Sequence, residues 1–290
     1  MRSMLFVPAD SERKLARGLE SGADALILDL EDSVAAANRP IARKQARDFL
    51  ETHGSGNGLG RIRRYVRINP LASGLALDDL VATVAGRPDG ILLPKCVPDD
   101  VRTADHYLSA FEAAAGAPVG AIRIIAIATE TPQAVFALGG YAGVSPRLEA
   151  ITWGAEDLSA CLGGSNKTLD GEYDGPYRLA RSLCLLAAAA AEVLAIDTIY
   201  TDFKDEVGLK AECAAARRSG FAGKMAIHPA QLAAINDAFS VSADERQWAE
   251  RVIAAFAANP DAGTLALDGK MIDKPHLVLA RRLLGLAPAG

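Results

Sequence analysis

Residues 123–128 read RIIAIA, a nearly unbroken β-branched apolar run, and no other stretch constrains the fold as much. A strand with one wet face would alternate, so this pattern predicts a parallel strand buried on both faces. The run stops at Thr129-Glu130-Thr131-Pro132, where a threonine can cap and a proline can occupy the first helical turn, predicting a helix through Gly139. Residues 150–153 (AITW) form a second short apolar strand, closed by the turn Gly154-Ala155-Glu156-Asp157. Strand, helix, strand then brings Glu130 and Asp157 to one rim, each at the carboxyl end of its strand.

The same rhythm runs along the chain. Strands are predicted at 4–7, 25–30, 65–69, 90–94, 196–200 and 224–227 besides the two above. Helices are predicted from Asp10 or Ser11 to Ser21, and at 40–52, 77–84, 99–115, 176–194, 206–219 and 229–239. Eight short strands alternating with helices by residue 229 predict an α/β fold, a (β/α)₈ TIM barrel. An open doubly wound sheet would carry a glycine-rich phosphate turn after its first strand, and Val7-Pro8-Ala9-Asp10 is not one. Residues 53–60 (HGSGNGLG) read as a glycine-rich loop and residues 163–175 as a long polar loop over the rim.

A helix at 243–258, a hairpin at 264–273 around Asp268-Gly269, and a helix at 276–284 follow. A barrel does not need this tail to close. The expected division is a catalytic barrel at 1–240 and a C-terminal lid or arm at 241–290, packing on a neighbouring subunit.

Half of the 290 residues are apolar, ample for such a core, and the net charge of −5 with mixed signs argues against a nucleic-acid binder. Cys96, Cys161, Cys184 and Cys213 are far apart, form no CxxC pair, and are expected as reduced core thiols in a cytosolic setting. No stretch is long and apolar enough to span a bilayer, and the first apolar run is too short for a signal peptide, so a cytoplasmic protein without membrane partners is expected.

In such barrels the chemistry lies at the carboxyl ends of the strands. The polar residues there are Asp29, Glu31, Asp32, Arg67, Asn69, Lys95, Glu130, Asp157 and His228. Two hard oxygen donors from neighbouring loops, Glu130 and Asp157, suit a magnesium ion that keeps waters and takes further ligands from substrate. Either one alone reads more simply as a helix cap. Arg67 lies inside an apolar strand, where it either pairs structurally with Asp29 or Glu31 or offers its fork to a carboxylate or oxyanion. His228 precedes a proline and reads as a cap.

RSMLFVPA at the start, then LDLEDSV, VRIN, LLPK, TETP, WGAEDLS, DGEYDGPY, FKDEVGL, GFAGKMAIHPAQ and LDGKMIDKPH follow one another in a specific order. With these segments the chain resembles the citrate lyase β-subunit-like group of the HpcH/HpaI aldolase superfamily, most closely its stand-alone citramalyl-CoA and malyl-CoA lyases. The resemblance implies a trimer or hexamer in which Glu130 and Asp157 hold Mg²⁺, with Mn²⁺ a possible substitute. It implies that Arg67 contacts the oxo-acid end of the substrate and that Asp273, on the arm, is an acid–base residue reaching a neighbouring subunit. Coenzyme A is implied near residues 8–14, where Arg13 and Lys14 are the local cations, although both also read as plain surface residues. From spacing alone Asp273 reads as a helix cap.

The activity implied is cleavage of a 3-hydroxy-3-carboxyacyl-CoA to acetyl-CoA and a 2-oxo acid. The alternatives are a citrate lyase β subunit acting on an acyl carrier protein thioester, an aldolase on free hydroxy-oxo acids, and a barrel that binds without catalysis. Retention of Arg67, Glu130, Asp157 and Asp273 counts against the last.

Overall fold

The eight apolar runs close on one another. In the computed structural model, which describes residues 1–53 and 62–286, the strands are β1 (Ser3–Pro8), β2 (Ala25–Asp29), β3 (Arg63–Arg67), β4 (Gly90–Leu93), β5 (Arg123–Ile127), β6 (Leu148–Thr152), β7 (Leu194–Asp197) and β8 (Gly223–Ala226). They form a closed barrel in sequence order, every pairing parallel, with β8 returning to β1. Closure leaves these strands no free edge. Around the barrel lie α1 (Glu12–Leu19), α2 (Arg39–Thr52), α3 (Ala76–Thr83), α4 (Pro98–Ala114), α5 (Pro132–Ala137), α6 (Ala155–Leu162), α7 (Gly175–Ala190), α8 (Glu206–Ser219) and α9 (Leu232–Ala238). This is the expected TIM barrel.

Alternation sorts the strand side chains into two layers. Met4, Ile27, Tyr65, Leu92, Ile125, Ile196 and Met225 fill the barrel, whereas Leu5, Leu26, Val66, Ile91, Ile124 and Ile151 pack under the helices. Because side chains alternate with a period of two, Asp29 follows Ile27 and Arg67 follows Tyr65 into the barrel's carboxyl-end mouth.

Several expected boundaries move. The helix expected at 176–194 ends at Ala190, and the chain reverses at Glu192, whose φ is 57°. Nothing in the alanine-rich sequence signals that stop; pairing of Leu194 with Ala150 imposes it. The strand expected at 65–69 begins at Arg63, because Arg63 and Arg64 find carboxylates in Glu149 and Asp89. Cys161 is exposed rather than a core thiol, since the short helix α6 buries Ala155 and Leu158 instead; the other three cysteines are buried and all four are free. From residue 54 on, the glycine-rich loop lies outside the described residues.

The chain divides into two compact units, the first being Met1–Phe239. In the second, α10 (Ala243–Ala258), β9 (Thr264–Leu267), β10 (Lys270–Asp273) and α11 (Lys274–Leu283) pack around Ala249, Val252, Phe256, Ile272 and Ala280. Asp268 and Gly269, with φ of 53° and 73°, make the tight turn that an Asp-Gly hairpin needs.

Candidate active site

The mouth of the barrel is built around one arginine. Arg67 ends β3 and donates from Nε and Nη2 to both carboxylate oxygens of Asp29, at 2.7 and 2.6 Å. Its Nη1 is 2.9 Å from Glu31 Oε2, and its guanidinium lies 4.8 Å over the Phe6 ring. Asp29 is itself fixed by the backbone N–H groups of Glu31 and Ser33. Burial alone would make Arg67 easier to deprotonate, but the Asp29 hydrogen bonds and charge outweigh it and hold the guanidinium charged. Of the two sequence readings, structural pairing is present, and it also aims the fork.

Lys95 follows β4 in a left-handed conformation, φ 49°, a costly backbone state for a residue with a Cβ. That turn points its backbone N–H at Glu130 Oε2. Its ammonium reaches Glu31 at 2.6 Å, Asp32 at 3.1 Å and Asp157 at 3.2 Å. Glu31 Oε2 is buried and has no aligned hydrogen-bond donor, although its ion pair with Arg67 is close.

Glu130 lies between β5 and α5, buried, and burial together with the Asp157 charge pushes its carboxyl up to about 8. Gly154 makes this approach possible: a Cβ there would sit 2.6 Å from Glu130 Cγ. Asp157 lies in the first turn of α6, half-buried. Glu130, Asp157, Asp29 and Arg67 line one pocket of about 220 Å³, whose other walls are mostly apolar and include Phe6, Trp153, Ile127 and Met225.

These residues fit a magnesium ion. A carboxyl raised first by burial and then by a neighbouring carboxylate is a site short of positive charge, and both groups are hard oxygen donors. Among the described residues no cluster of three or more His, Cys, Asp or Glu side chains is arranged to hold a metal. Two carboxylates therefore leave the remaining positions to water and substrate oxygens, the usual habit of magnesium.

Of the other candidates, Asn69, His228, Arg13 and Lys14 do not line this pocket. Asn69 donates its amide to Asp79 and Leu30, tying β3 to α3. His228 caps the turn at Pro229–Gln231 and stacks on Phe203. Arg13 and Lys14 are exposed on α1 and do not line the pocket. Asp273 belongs to the second unit, where it caps α11 and pairs with His276 Nδ1 at 2.5 Å, which holds its carboxyl below the ordinary range. The helix-cap reading of Asp273 is thus observed.

A second ionic cluster escaped the sequence reading. Asp197, at the end of β7, accepts from Trp153 Nε1 at 2.7 Å and from Arg181 at 3.0 Å, and lies 3.1 Å from the Lys224 ammonium. Lys224 also reaches Glu212 of α8 at 2.6 Å. Lys224 and Asp197 are fully buried, beside the interior residues Met225 and Ile196 and so on the helix-facing side of the sheet. The legible signal was a charge within a strand buried on both faces, which demands a partner.

Comparison with known proteins agrees with this architecture. The family model HpcH/HpaI aldolase/citrate lyase matches residues 2–229. A (3S)-malyl-CoA thioesterase of Cereibacter sphaeroides is 38% identical over 294 residues, covering 99% of this chain and 95% of that protein. The mitochondrial citramalyl-CoA lyase of Homo sapiens is 32% identical over 308 residues, covering 99% of this chain and 85% of that protein. Among solved structures, protein CitE from Mycobacterium tuberculosis in complex with magnesium, acetoacetate and coenzyme A superposes with a TM-score of 0.76 at 33% identity, covering 98% of this chain and 97% of that one.

Proposed function

The chain belongs to the HpcH/HpaI aldolase/citrate lyase family, and we propose that it is a magnesium-dependent lyase that cleaves a 3-hydroxy-3-carboxyacyl-CoA, of the citramalyl-CoA or malyl-CoA type, to acetyl-CoA and a 2-oxo acid. The observation that carries this reading is the convergence of Glu130, Asp157 and Arg67 on one pocket at the barrel's mouth, in a chain so similar to a structure holding magnesium, acetoacetate and coenzyme A.

Cleavage begins when the substrate's 3-hydroxyl gives its proton to a carboxylate at the mouth and the alkoxide collapses to the carbonyl of the 2-oxo acid. The bond to the carbon next to the thioester breaks, and that carbon keeps the electron pair as an enolate. Glu130 and Asp157 would hold the magnesium ion, which would supply Lewis acidity to the reaction. Arg67, locked by Asp29 and Glu31, offers fixed donors to the oxygen that carries charge as the bond breaks, with no reorganisation at that moment. The largely apolar wall keeps water from the enolate.

The enolate needs a proton at carbon, and the condensing direction needs a base there. Asp273 suits the second task as it stands, because His276 holds it ionised; in cleavage it must first carry the proton. We assign it to the active site of a neighbouring subunit in a trimer or hexamer. Arg13 and Lys14 are the cations we assign to the coenzyme's phosphates.

The relatives called (3S)-malyl-CoA thioesterase favour a second reading, hydrolysis of the thioester to free coenzyme A and a hydroxy acid. One assay separates the readings. Malyl-, citramalyl- and citryl-CoA, citryl-acyl carrier protein and free hydroxy acids are incubated with the protein and magnesium, and products are resolved by mass. Acetyl-CoA with a 2-oxo acid is expected; free coenzyme A with an intact hydroxy acid marks the thioesterase, and turnover of free hydroxy acids alone overturns the thioester reading.

A further inference from the structure

Between α6 and α7, residues 163–174 return the chain to the rim with little to hold them. Their two large apolar side chains are Leu169, fully exposed at the tip, and Tyr173, buried. Backbone bonds close the tip on itself: Thr168 donates to Glu172, Gly171 donates to Thr168, and Lys167 bridges to Tyr173. None of these bonds fixes the loop to the barrel.

Lys167 does. Its ammonium lies 3.1 Å from Glu212 Oε2 on α8, 4.7 Å from the centre of the Tyr173 ring and 4.6 Å from that of Tyr200. Tyr200 is steadied by its hydroxyl on Asp205 at 2.6 Å. One carboxylate and two aromatic faces around an ammonium make a cage whose members attract it electrostatically. A charge so engaged has little left for a substrate, so its work is local.

The local consequence reaches the pocket. Tyr173 meets Trp153 edge-on, ring centres 4.8 Å apart at 72°, and Trp153 lines the pocket. The Trp153 indole N–H is pinned to Asp197, which fixes one edge of the ring and leaves Tyr173 to fix its tilt. We propose that Lys167 is a positioning residue of the substrate pocket: by caging its ammonium between Glu212, Tyr173 and Tyr200, it seats Tyr173 against Trp153 and sets the pocket wall that the substrate meets. This rests on the lyase reading only for the identity of the substrate. The wall itself can be tested without one.

The chain has two tryptophans, so a Trp248→Phe background leaves Trp153 as the sole reporter. In that background Lys167→Met is expected to red-shift Trp153 emission and raise its quenching by acrylamide. With the thioester that the wild type turns over, KM should rise about tenfold while kcat stays within about twofold, because uniform binding is lost and the charge-handling groups are untouched. Lys167→Arg, which can pair with Glu212 and stack on both rings, should restore emission and KM. Tyr173→Leu should reproduce the Lys167→Met values, and the double variant should be no worse than either single one. Wild-type emission, quenching and KM in Lys167→Met, even with a lowered Tm, would reduce Lys167 to a tether and overturn the proposal. Equal losses in Lys167→Arg and Lys167→Met would overturn it too, since charge would then be irrelevant. If no thioester is turned over, the lyase reading fails and the fluorescence measurements still decide the clamp.

Discussion

At the barrel's mouth five carboxylates, Asp29, Glu31, Asp32, Glu130 and Asp157, surround two cations, Arg67 and Lys95. Between the sheet and helices α7 and α8, two carboxylates, Asp197 and Glu212, meet three cations, Lys167, Arg181 and Lys224. Both clusters are drawn from residues distant in sequence and both have a buried centre, yet their balance is opposite. Burial alone would raise the Asp197 carboxyl, but Lys224 and Arg181 outweigh it and hold it at about 2. Burial raises Glu130 to about 8, with Asp157 adding to the rise. In the wall cluster every carboxylate is matched by cations, which is what stability asks of buried charge. The mouth keeps negative charge in surplus, which is what a site for a divalent cation asks.

The comparison breaks most visibly at the mouth. Glu130→Gln and Asp157→Asn should each lower turnover by about 10³-fold or more, because each removes a proposed ligand of the Lewis acid. Thermal melts of Glu130→Gln at neutral pH should match or exceed the wild type, since the folded state must take up a proton at Glu130 that the unfolded chain does not hold, and glutamine removes that cost. A matching loss of Tm and activity would mean that the mouth is held together by these groups and is not the functional half of the contrast.

The wall should respond the other way. Asp197→Asn leaves the Lys224 ammonium buried with one carboxylate in place of two and should cost about 3–5 kcal/mol in denaturant unfolding. The folded pKa of Asp197 lies below its unfolded value, so its stabilisation is complete above about pH 4 and is lost as pH falls through about 2. Melts at descending pH should therefore show the wild type losing its advantage over Asp197→Asn across that window. A constant difference would show that the charge is not what the site stabilises.

Arg67 belongs to both descriptions, being closed by Asp29 and aimed at the pocket. Arg67→Lys should lower kcat by about 10²–10³-fold, because a point charge cannot reproduce the fork. A rise in KM with kcat unchanged would make Arg67 a ground-state binder.

The smallest signal is expected from the second unit. Asp273→Asn and Glu130→Gln proteins, each inactive alone, should regain a fraction of wild-type activity when unfolded and reassembled together if Asp273 serves a neighbour. Full activity in Asp273→Asn by itself would leave it only the cap on α11.

The sequence made the barrel legible because parallel strands covered on both faces must be apolar throughout, as RIIAIA is, and because polar residues gather where several of those runs stop. Glu130, Asp157 and Arg67, which line one pocket, were singled out that way. The wall was not, although Lys224 and Asp197 stand inside predicted strands, since their partners Arg181, Glu212 and Trp153 become neighbours only when β6, β7 and β8 line up. Gly154 was read as part of a turn; its necessity appears only when Glu130 packs against it. The stop of α7 was illegible for a different reason, because pairing of β7 overrides a sequence that would gladly continue as helix.

Calorimetric titration of magnesium into the metal-depleted protein bears most directly on the contrast between a closed wall and an open mouth. One site per chain is expected in the wild type and in Asp197→Asn at a temperature where that variant is folded, and none in Glu130→Gln or Asp157→Asn. Magnesium bound equally well by Glu130→Gln, Asp157→Asn and the wild type would contradict the account.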